Sequence, residues 1–254
     1  MKERTKLKTQ NRDHCNIFVL NESALPPQEV KSSLRYPCPF ILILLLLSLT
    51  LILNTARPAA ALTSADVIYY GSYPQSGTSP DFKVEPVLWR VLEVSGDKTT
   101  LMLSEKILDG GVPFNSYNHP WSPWWSESQI RKFLNGKKYA PSPDPKWEVT
   151  NPKGYSFYDK AFSAGEGSGI IKADVDNSST RGATPGHNTT DKIFLLSYAD
   201  ARNTAYGFVN NGNSDPSRKA ELTDYSASQG IYSYTEGNKK YGCCWLHSPG
   251  DSVN

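Results

Sequence analysis

The clearest hydrophobic pattern in the chain is the alternation over residues Val87–Val94, VLWRVLEV. Both faces of this segment are mostly apolar, which is typical of a strand in the middle of a sheet. A β-rich segment over residues 66–70 is predicted to be the preceding strand, to stop at Gly71 and to lead into a turn over residues 71–75. Residues 99–104 are predicted to return from the central strand as its hairpin partner.

Short amphipathic segments predict the helices. Ser126 is expected to begin the first helix, with Gln129 completing a capping box and Gly136 ending it. A second short helix is predicted over residues 157–164, because the glycines that follow oppose its continuation. A last helix is predicted over residues 221–229.

The second half of the chain is richer in polar loops. Residues 173–187 are predicted to be a solvent loop, residues 192–196 a strand, and Ser197 the N-cap of a short helix. Trp245 and Leu246 form the last candidate strand. Strands and helices are mixed without a βαβ rhythm. The predicted fold class is therefore α+β, with short strands, a few short helices and long loops.

One apolar run, Phe40–Leu53, stands apart from these patterns. It is shorter than the about 20 residues of a membrane-spanning helix, and basic residues precede it, as in a signal peptide. Three alanines, Ala59–Ala61, offer the small side chains of a cleavage site. We expect residues 1–61 to be a signal peptide, or alternatively an uncleaved membrane anchor. Residues 62–254 would be a single exported α+β domain, extracellular or on the cell surface.

The distribution of charge agrees with this division. The 254 residues include 27 basic and 25 acidic side chains, a net charge of +2. Residues 1–61 hold 8 of the basic and 4 of the acidic ones, so the remainder carries a net charge of −2. A mildly acidic exported domain is a poor candidate for binding nucleic acid. Contact with a membrane is expected only through Phe40–Leu53.

Cysteines and carboxylates suggest no cofactor. Cys243 and Cys244 are adjacent, and a disulfide between neighbours is geometrically disfavoured. We expect two half-buried side chains, with a redox or metal pair as the alternative. Asp174, Asp176 and Asn177 resemble half a calcium loop, but the glycine and the closing glutamate are missing. A solvated acidic loop is the expected structure there, so no metal site is predicted.

A loop rich in aromatic residues provides the candidate binding site. Tyr117, His119 and Trp121 lie in the segment that leads to Trp124 and Trp125. Exposed aromatic rings suit sugar rings or peptides, so Tyr117, His119 and Trp121 are the candidate ligand-binding residues. Trp124 or Trp125 is expected to pack the following helix onto the core instead.

A catalytic triad is not predicted. His247 and Ser248 lie close to Asp251, but neighbouring residues on a strand point to opposite faces. The nucleophile elbow Gly-x-Ser-x-Gly is also missing from the sequence. No catalytic residue is therefore assigned, and an enzyme is not the favoured interpretation.

Six segments of the chain resemble the motifs of one bacterial family. They are Tyr70–Gln75, Pro86–Leu92, Leu101–Asp109, Trp124–Asn135, Asp191–Ser197 and Trp245–Gly250. In this order they resemble the domain-of-unknown-function family DUF6273, which is common on exported proteins of Gram-positive bacteria. The resemblance implies an irregular α+β domain similar to C-type-lectin-like and sulfatase-modifying-factor-like folds. It implies no known activity.

Departures from the family pattern bear on both fold and function. His247 stands where the family usually has arginine, and Cys244 where it has an aromatic residue. The family continues beyond its Ser-Pro-Gly motif to a closing strand, so we expect the C-terminal strand to be missing from this chain. The leading hypothesis is a non-catalytic module for a surface glycan or protein. The alternatives are a sulfatase-modifying-factor-like oxidoreductase, whose copper cysteines are not adjacent, and a structural spacer of a larger surface protein.

Overall fold

A computed structural model describes residues 19–22, 63, 66–96, 100–115, 122–139, 153–178, 183–209 and 215–249. The strands in these ranges are β1 (Val19–Glu22), β2 (Val67–Thr78), β3 (Asp81–Val94), β4 (Thr100–Ser104), β5 (Lys106–Ile107), β6 (Ala173–Val175), β7 (Thr189–Asp191), β8 (Ile193–Phe194), β9 (Glu221–Leu222), β10 (Ser233–Glu236) and β11 (Lys239–Gly242). The helices are α1 (Gln129–Tyr139), α2 (Phe157–Ala161), α3 (Ala164–Gly169) and α4 (Asp224–Ser228). The predicted α+β class is confirmed, although β2 and β3 are long strands of 12 and 14 residues.

The largest sheet has the strand order β2-β3-β4-β1-β8, and every neighbouring pair in it is antiparallel. β3 and β4 form the predicted hairpin, and β3 lies inside the sheet as expected. Val87, Trp89 and Val91 are completely or almost completely buried. The apolar alternation of this segment therefore builds the core of the domain.

β2 corrects the predicted turn after Gly71. The strand continues through residues 71–75 to Thr78, with irregularities in its pairing between Tyr69 and Ser72 and again before Gly77. Gly71 has a φ of 65° and lies against Phe162, so a side chain there would clash with that ring. The glycine thus marks a bulge within a long strand rather than its end.

Two further sheets were not predicted, and Glu221 and Leu222, expected to begin the last helix, form a strand of one of them. β10-β11-β9-β5 form the second sheet, with β9 and β5 parallel, and β6 pairs with β7 in the third. The expectation of a loop over residues 173–187 was wrong at its start, where β6 lies. The prediction of a strand at Trp245 and Leu246 was wrong. These two residues follow β11 and have no regular secondary structure.

The helices also differ in detail from the sequence patterns. Ser128, not Ser126, caps α1: its hydroxyl accepts a hydrogen bond from the Arg131 backbone N–H at 3.2 Å. Gly136 leaves the helical conformation with a φ of 68°, but it marks a kink within α1 rather than the predicted end of the helix. The prediction that glycines prevent a helix after α2 was wrong. α3 forms there because Ser163 and Glu166 make a capping box.

The N-terminal residues contribute one strand to the main sheet. β1 lies between β4 and β8, and the sequence patterns did not predict it. The apolar run Phe40–Leu53 lies outside the described residues. Among the residues that are described, no helix has the length and apolar character needed to cross a membrane.

Candidate functional site

The predicted ligand-binding residues Tyr117, His119 and Trp121 lie outside the described residues. The ends of their loop are nevertheless defined. The Asn115 side-chain amide donates to the Ser122 carbonyl at 2.5 Å, and the Asn115 Oδ1 atom accepts from the Gln129 backbone N–H at 3.2 Å. These bonds bring the two ends together beside α1. The assignment of the three residues to a binding site stays a prediction.

The exposed aromatic ring of Trp245 packs against the N-terminal base of this loop. Trp245 is 38% exposed to solvent, and its indole nitrogen donates to the Val112 carbonyl at 3.3 Å. Its ring packs on Phe114 at 5.9 Å between centroids. The Trp245–Phe114 pair therefore forms an apolar surface at the N-terminal base of the loop.

The two other tryptophans of the loop divide as expected. Trp125 is fully buried, which confirms that one of the pair packs into the core. Trp124 is half-buried, donates to the Thr184 carbonyl at 3.2 Å and meets the His187 ring edge-on at 5.9 Å. Gly186 lies under Trp124, where a side chain would clash with the indole. Both tryptophans thus fix the C-terminal end of the loop.

Trp125 belongs to a buried polar group that we call the Asp191 centre: Trp125, Arg131, Thr189 and Asp191. The Asp191 carboxylate accepts from the Trp125 indole at 2.9 Å and from the Thr189 hydroxyl at 2.7 Å. The Arg131 guanidinium contacts the Oδ1 atom of the same carboxylate through Nε at 2.9 Å and through Nη2 at 2.8 Å. Each member is at least nine-tenths buried. The centre therefore ties the end of the loop to α1 and β7.

His247 lies next to this centre, with its ring 6.1 Å from that of Trp125. The Asn177 amide nitrogen donates to the His187 carbonyl, so its oxygen faces His247 and accepts from Nδ1 at 2.9 Å. Burial lowers the pKa of His247 to about 4, although the carboxylates of Asp200, Asp191 and Asp176 act in the opposite direction. The imidazole is therefore neutral at pH 7.

The residues next to His247 have structural contacts. The Ser248 hydroxyl accepts from the Tyr198 backbone N–H at 2.9 Å, and Asp251 lies outside the described residues. Cys243 and Cys244 are not joined by a disulfide, and both are half-buried, as expected. In the described part of the chain, no group of three or more His, Cys, Asp or Glu side chains is arranged to hold a metal ion.

The N-terminal end of the loop is held by a second polar group, the Asp109 centre: Tyr73, Asp109, Lys153 and Tyr155. The Asp109 carboxylate accepts from the Tyr73 hydroxyl at 2.6 Å, the Lys153 ammonium at 2.6 Å and the Tyr155 hydroxyl at 3.2 Å. The Gly110 backbone N–H adds a fourth bond at 2.8 Å. With four donors on it, Asp109 positions its neighbours and is poorly placed to act as a catalytic base.

Burial, followed by the nearby Asp109 carboxylate, raises the pKa of Tyr73. Burial and the hydrogen bond with Tyr225 raise that of Tyr155. Both hydroxyls therefore remain protonated donors. Above them, the exposed Lys160 ammonium lies 5.0 Å, 4.3 Å and 4.8 Å from the ring centroids of Tyr73, Tyr155 and Tyr225. This edge of the Asp109 centre reaches the protein surface.

Three buried side-chain atoms follow the loop without a hydrogen-bond partner in the part of the chain that is described. They are the Ser126 hydroxyl, Oε2 of Glu127 and Oε1 of Gln129. A buried polar group without a partner costs about 1–3 kcal/mol. The start of α1 is thus the part of the site that would gain most from an additional polar partner.

The sequence predicts the two ends of the loop but not the polar contacts that hold each end in place. Asp109 and Trp125 bound the aromatic loop, and both lie in segments of the family resemblance. Arg131, Lys153 and Tyr155 were not selected, because their partners lie 44 to 60 residues away along the chain. The signal that was available is that separate family-like segments, Trp124–Asn135 and Asp191–Ser197, supply opposite sides of the Asp191 centre.

Comparison with known proteins defines the family but no activity. No curated protein and no solved structure matches this chain. The family model described as "Domain of unknown function (DUF6273)" matches residues 97–254, which include the loop, the Asp191 centre and every member of the Asp109 centre except Tyr73. The first two segments of the resemblance, Tyr70–Gln75 and Pro86–Leu92, precede the matched range. The chain belongs to the DUF6273 family.

Proposed function

We propose that this protein is a non-catalytic module, exported to the cell surface or beyond it, that binds a glycan or a protein through the loop between Asp109 and Trp125. The observation that carries the proposal is the exposed Trp245 ring, packed on Phe114 at the base of that loop. Aromatic surfaces of this kind suit sugar rings and apolar peptide side chains. A C-type-lectin-like arrangement of the domain is part of the same proposal.

The anchoring of the loop supports a binding role. Asp109 holds one end through four hydrogen bonds, and Trp125 holds the other through Asp191. A loop that is fixed at both ends loses less conformational entropy when it binds a ligand than a loop that is free. Tyr117, His119 and Trp121 would then be the ligand contacts. Export rests on the apolar run Phe40–Leu53 and the alanines that follow it.

A glycan and cell-wall array tests the proposal, followed by titration of any ligand found. Trp121→Ala and Trp245→Ala should each weaken binding about tenfold, which corresponds to about 1.4 kcal/mol. Tyr69→Ala is the matched control, because Tyr69 is an exposed aromatic residue on β2. If both tryptophan variants bind as tightly as the unchanged protein, the loop is not the binding site. Circular dichroism would confirm that each variant is folded.

A further inference from the structure

The position of β1 in the main sheet has consequences for an exported domain. β1 is antiparallel to β4 through the pairs Val19↔Leu103 to Glu22↔Thr100, and antiparallel to β8 through Val19↔Phe194 and Leu20↔Ile193. In the described sheet, β8 is the outermost strand and is joined to β4 through β1. Since adjacent strands lie about 4.8 Å apart, β4 and β8 form a slot about one strand wide.

With β1 in place, the walls of this slot are buried. Met102 and Leu103 on β4 and Ile193 on β8 are completely buried, and Phe194 is 8% exposed. Buried backbone N–H and C=O groups need hydrogen-bond partners. On β8, Asn135 already bonds both groups of Ile193, so the groups that need a strand partner are those of Phe194 and of the facing edge of β4. The slot therefore favours occupation by an extended chain, which can pair with both walls at once.

The far wall does not depend on β1 alone for its position. The Asn135 side chain on α1 takes both backbone groups of Ile193: its Oδ1 accepts from the Ile193 N–H at 2.9 Å, and its Nδ2 donates to the carbonyl at 2.6 Å. The Leu196 carbonyl also accepts from the His247 N–H at 3.0 Å. β8 is thus held by α1 as well as by β1, and the residues that follow it are held by the C-terminal segment.

We propose that the slot between β4 and β8 is a strand-acceptor site, and that export empties it for an extended peptide segment of a protein partner. This rests on the proposed function, because Val19–Glu22 precedes the apolar run and would stay behind when the domain after Ala61 is exported. The partner strand would run antiparallel to both walls, as β1 does. Its backbone would supply most of the affinity, as in other cases of strand addition.

The full chain with a protease site inserted after Ala61 tests the proposal. A labelled peptide of residues 16–25, NIFVLNESAL, represents the partner strand. The peptide should bind the cut protein, after removal of the N-terminal fragment, at least tenfold more tightly than the uncut protein, in which β1 competes. The same peptide with Leu20→Pro should not bind, since proline removes a backbone donor in the middle of the paired strand.

Hydrogen exchange on the uncut chain gives a second measurement that does not depend on cutting. Leu20→Pro in the full chain should increase exchange at residues 100–104 and 193–194 while the β10–β11 hairpin keeps its protection. Adding the unchanged peptide should restore the lost protection. Equal peptide binding by cut and uncut protein, or unchanged exchange in the Leu20→Pro chain, would overturn the strand-acceptor site.

The outcomes separate this site from the function on which it rests. A fusion of residues 1–61 to a reporter measures export alone. If the reporter is not exported but the cut protein binds the peptide, the site stands and the proposed function fails. If export and array binding are confirmed but the peptide does not bind, the strand-acceptor site alone is wrong.

Discussion

Two buried aspartates hold the two ends of one loop, and they do so with different cations. Asp191 is paired with Arg131, whose side chain is 5% exposed and makes two short contacts with the carboxylate. Asp109 is paired with Lys153, whose side chain is 12% exposed and also reaches Gln229 at 3.2 Å. The first pair lies wholly inside the domain, whereas the second opens towards the surface.

This difference determines which substitutions each end of the loop can tolerate. The guanidinium of arginine is planar and cannot lose its proton, so Arg131 without its carboxylate would leave a charge buried among apolar side chains. A lysine ammonium sits on a flexible stem and can turn back into water. The Trp125 end is therefore built as a fixed part of the core, and the Asp109 end as an adjustable one.

Replacing the Asp191 carboxylate should have the largest effect. Asp191→Asn removes the charge that neutralises Arg131 and points an amide N–H₂ group towards donors. We expect a loss of about 3–5 kcal/mol in the free energy of unfolding, because breaking one side of a buried ion pair leaves the other uncompensated. Urea denaturation followed by tryptophan fluorescence measures this loss.

Asp174→Asn is the matched control for that experiment. Asp174 is exposed and accepts a hydrogen bond from Thr190 across the β6–β7 pair. Its replacement should change stability by no more than about 0.5 kcal/mol. A similar loss in both variants would mean that the buried pair with Arg131 contributes nothing particular to the Asp191 centre.

Acid should lower the free energy of unfolding through His247, which lies beside the Asp191 centre at the same end of the loop. The unfolded imidazole has a pKa of 6.5 and the folded one of about 4, with burial as the main cause. Between these values the unfolded chain binds a proton that native His247 does not, so stability falls as the pH falls through this window. The loss should approach about 3 kcal/mol near pH 4.

His247→Gln isolates this contribution from those of the carboxylates. Glutamine can still donate to the Asn177 oxygen but does not titrate. The urea midpoint at pH 7 and at pH 4.5 should therefore differ more for the unchanged protein than for the variant. An equal acid effect in both proteins would contradict a neutral, buried His247 beside Trp125.

Local pattern predicted the main strands well but their irregularities poorly. Period-two alternation identified the second half of β3, over Val87–Val94, and the hairpin loop after it identified β4 as the returning partner. The bulge at Gly71 was predicted as a strand end, since a glycine with positive φ fits both structures. Ser126 and Ser128 both precede α1, and only the geometry shows that Ser128 is the cap.

Long-range polar contacts could not be derived in the same way. Arg131 and Asp191 are 60 residues apart, and nothing in their spacing along the chain distinguishes them from other charged residues. The position of β1 was missed for a related reason: its pairing depends on a slot formed by two distant strands, and its own sequence carries only four paired residues. A core role for either Trp124 or Trp125 followed from their place before a helix, and burial shows that Trp125 has it.

Replacing the Asp109 carboxylate should have the smallest effect on stability. It tests directly whether the two ends of the loop differ. In Asp109→Asn the amide oxygen can still accept from the Tyr73 hydroxyl, and Lys153 can turn towards solvent. We expect a loss of about 1–2 kcal/mol in the free energy of unfolding, clearly below that of Asp191→Asn. Lys153→Met in the same background should add little, since its ion pair is already gone. Equal losses for the two aspartate variants would show that both ends of the loop are equally rigid, and that exposure of the paired cation does not set their tolerance.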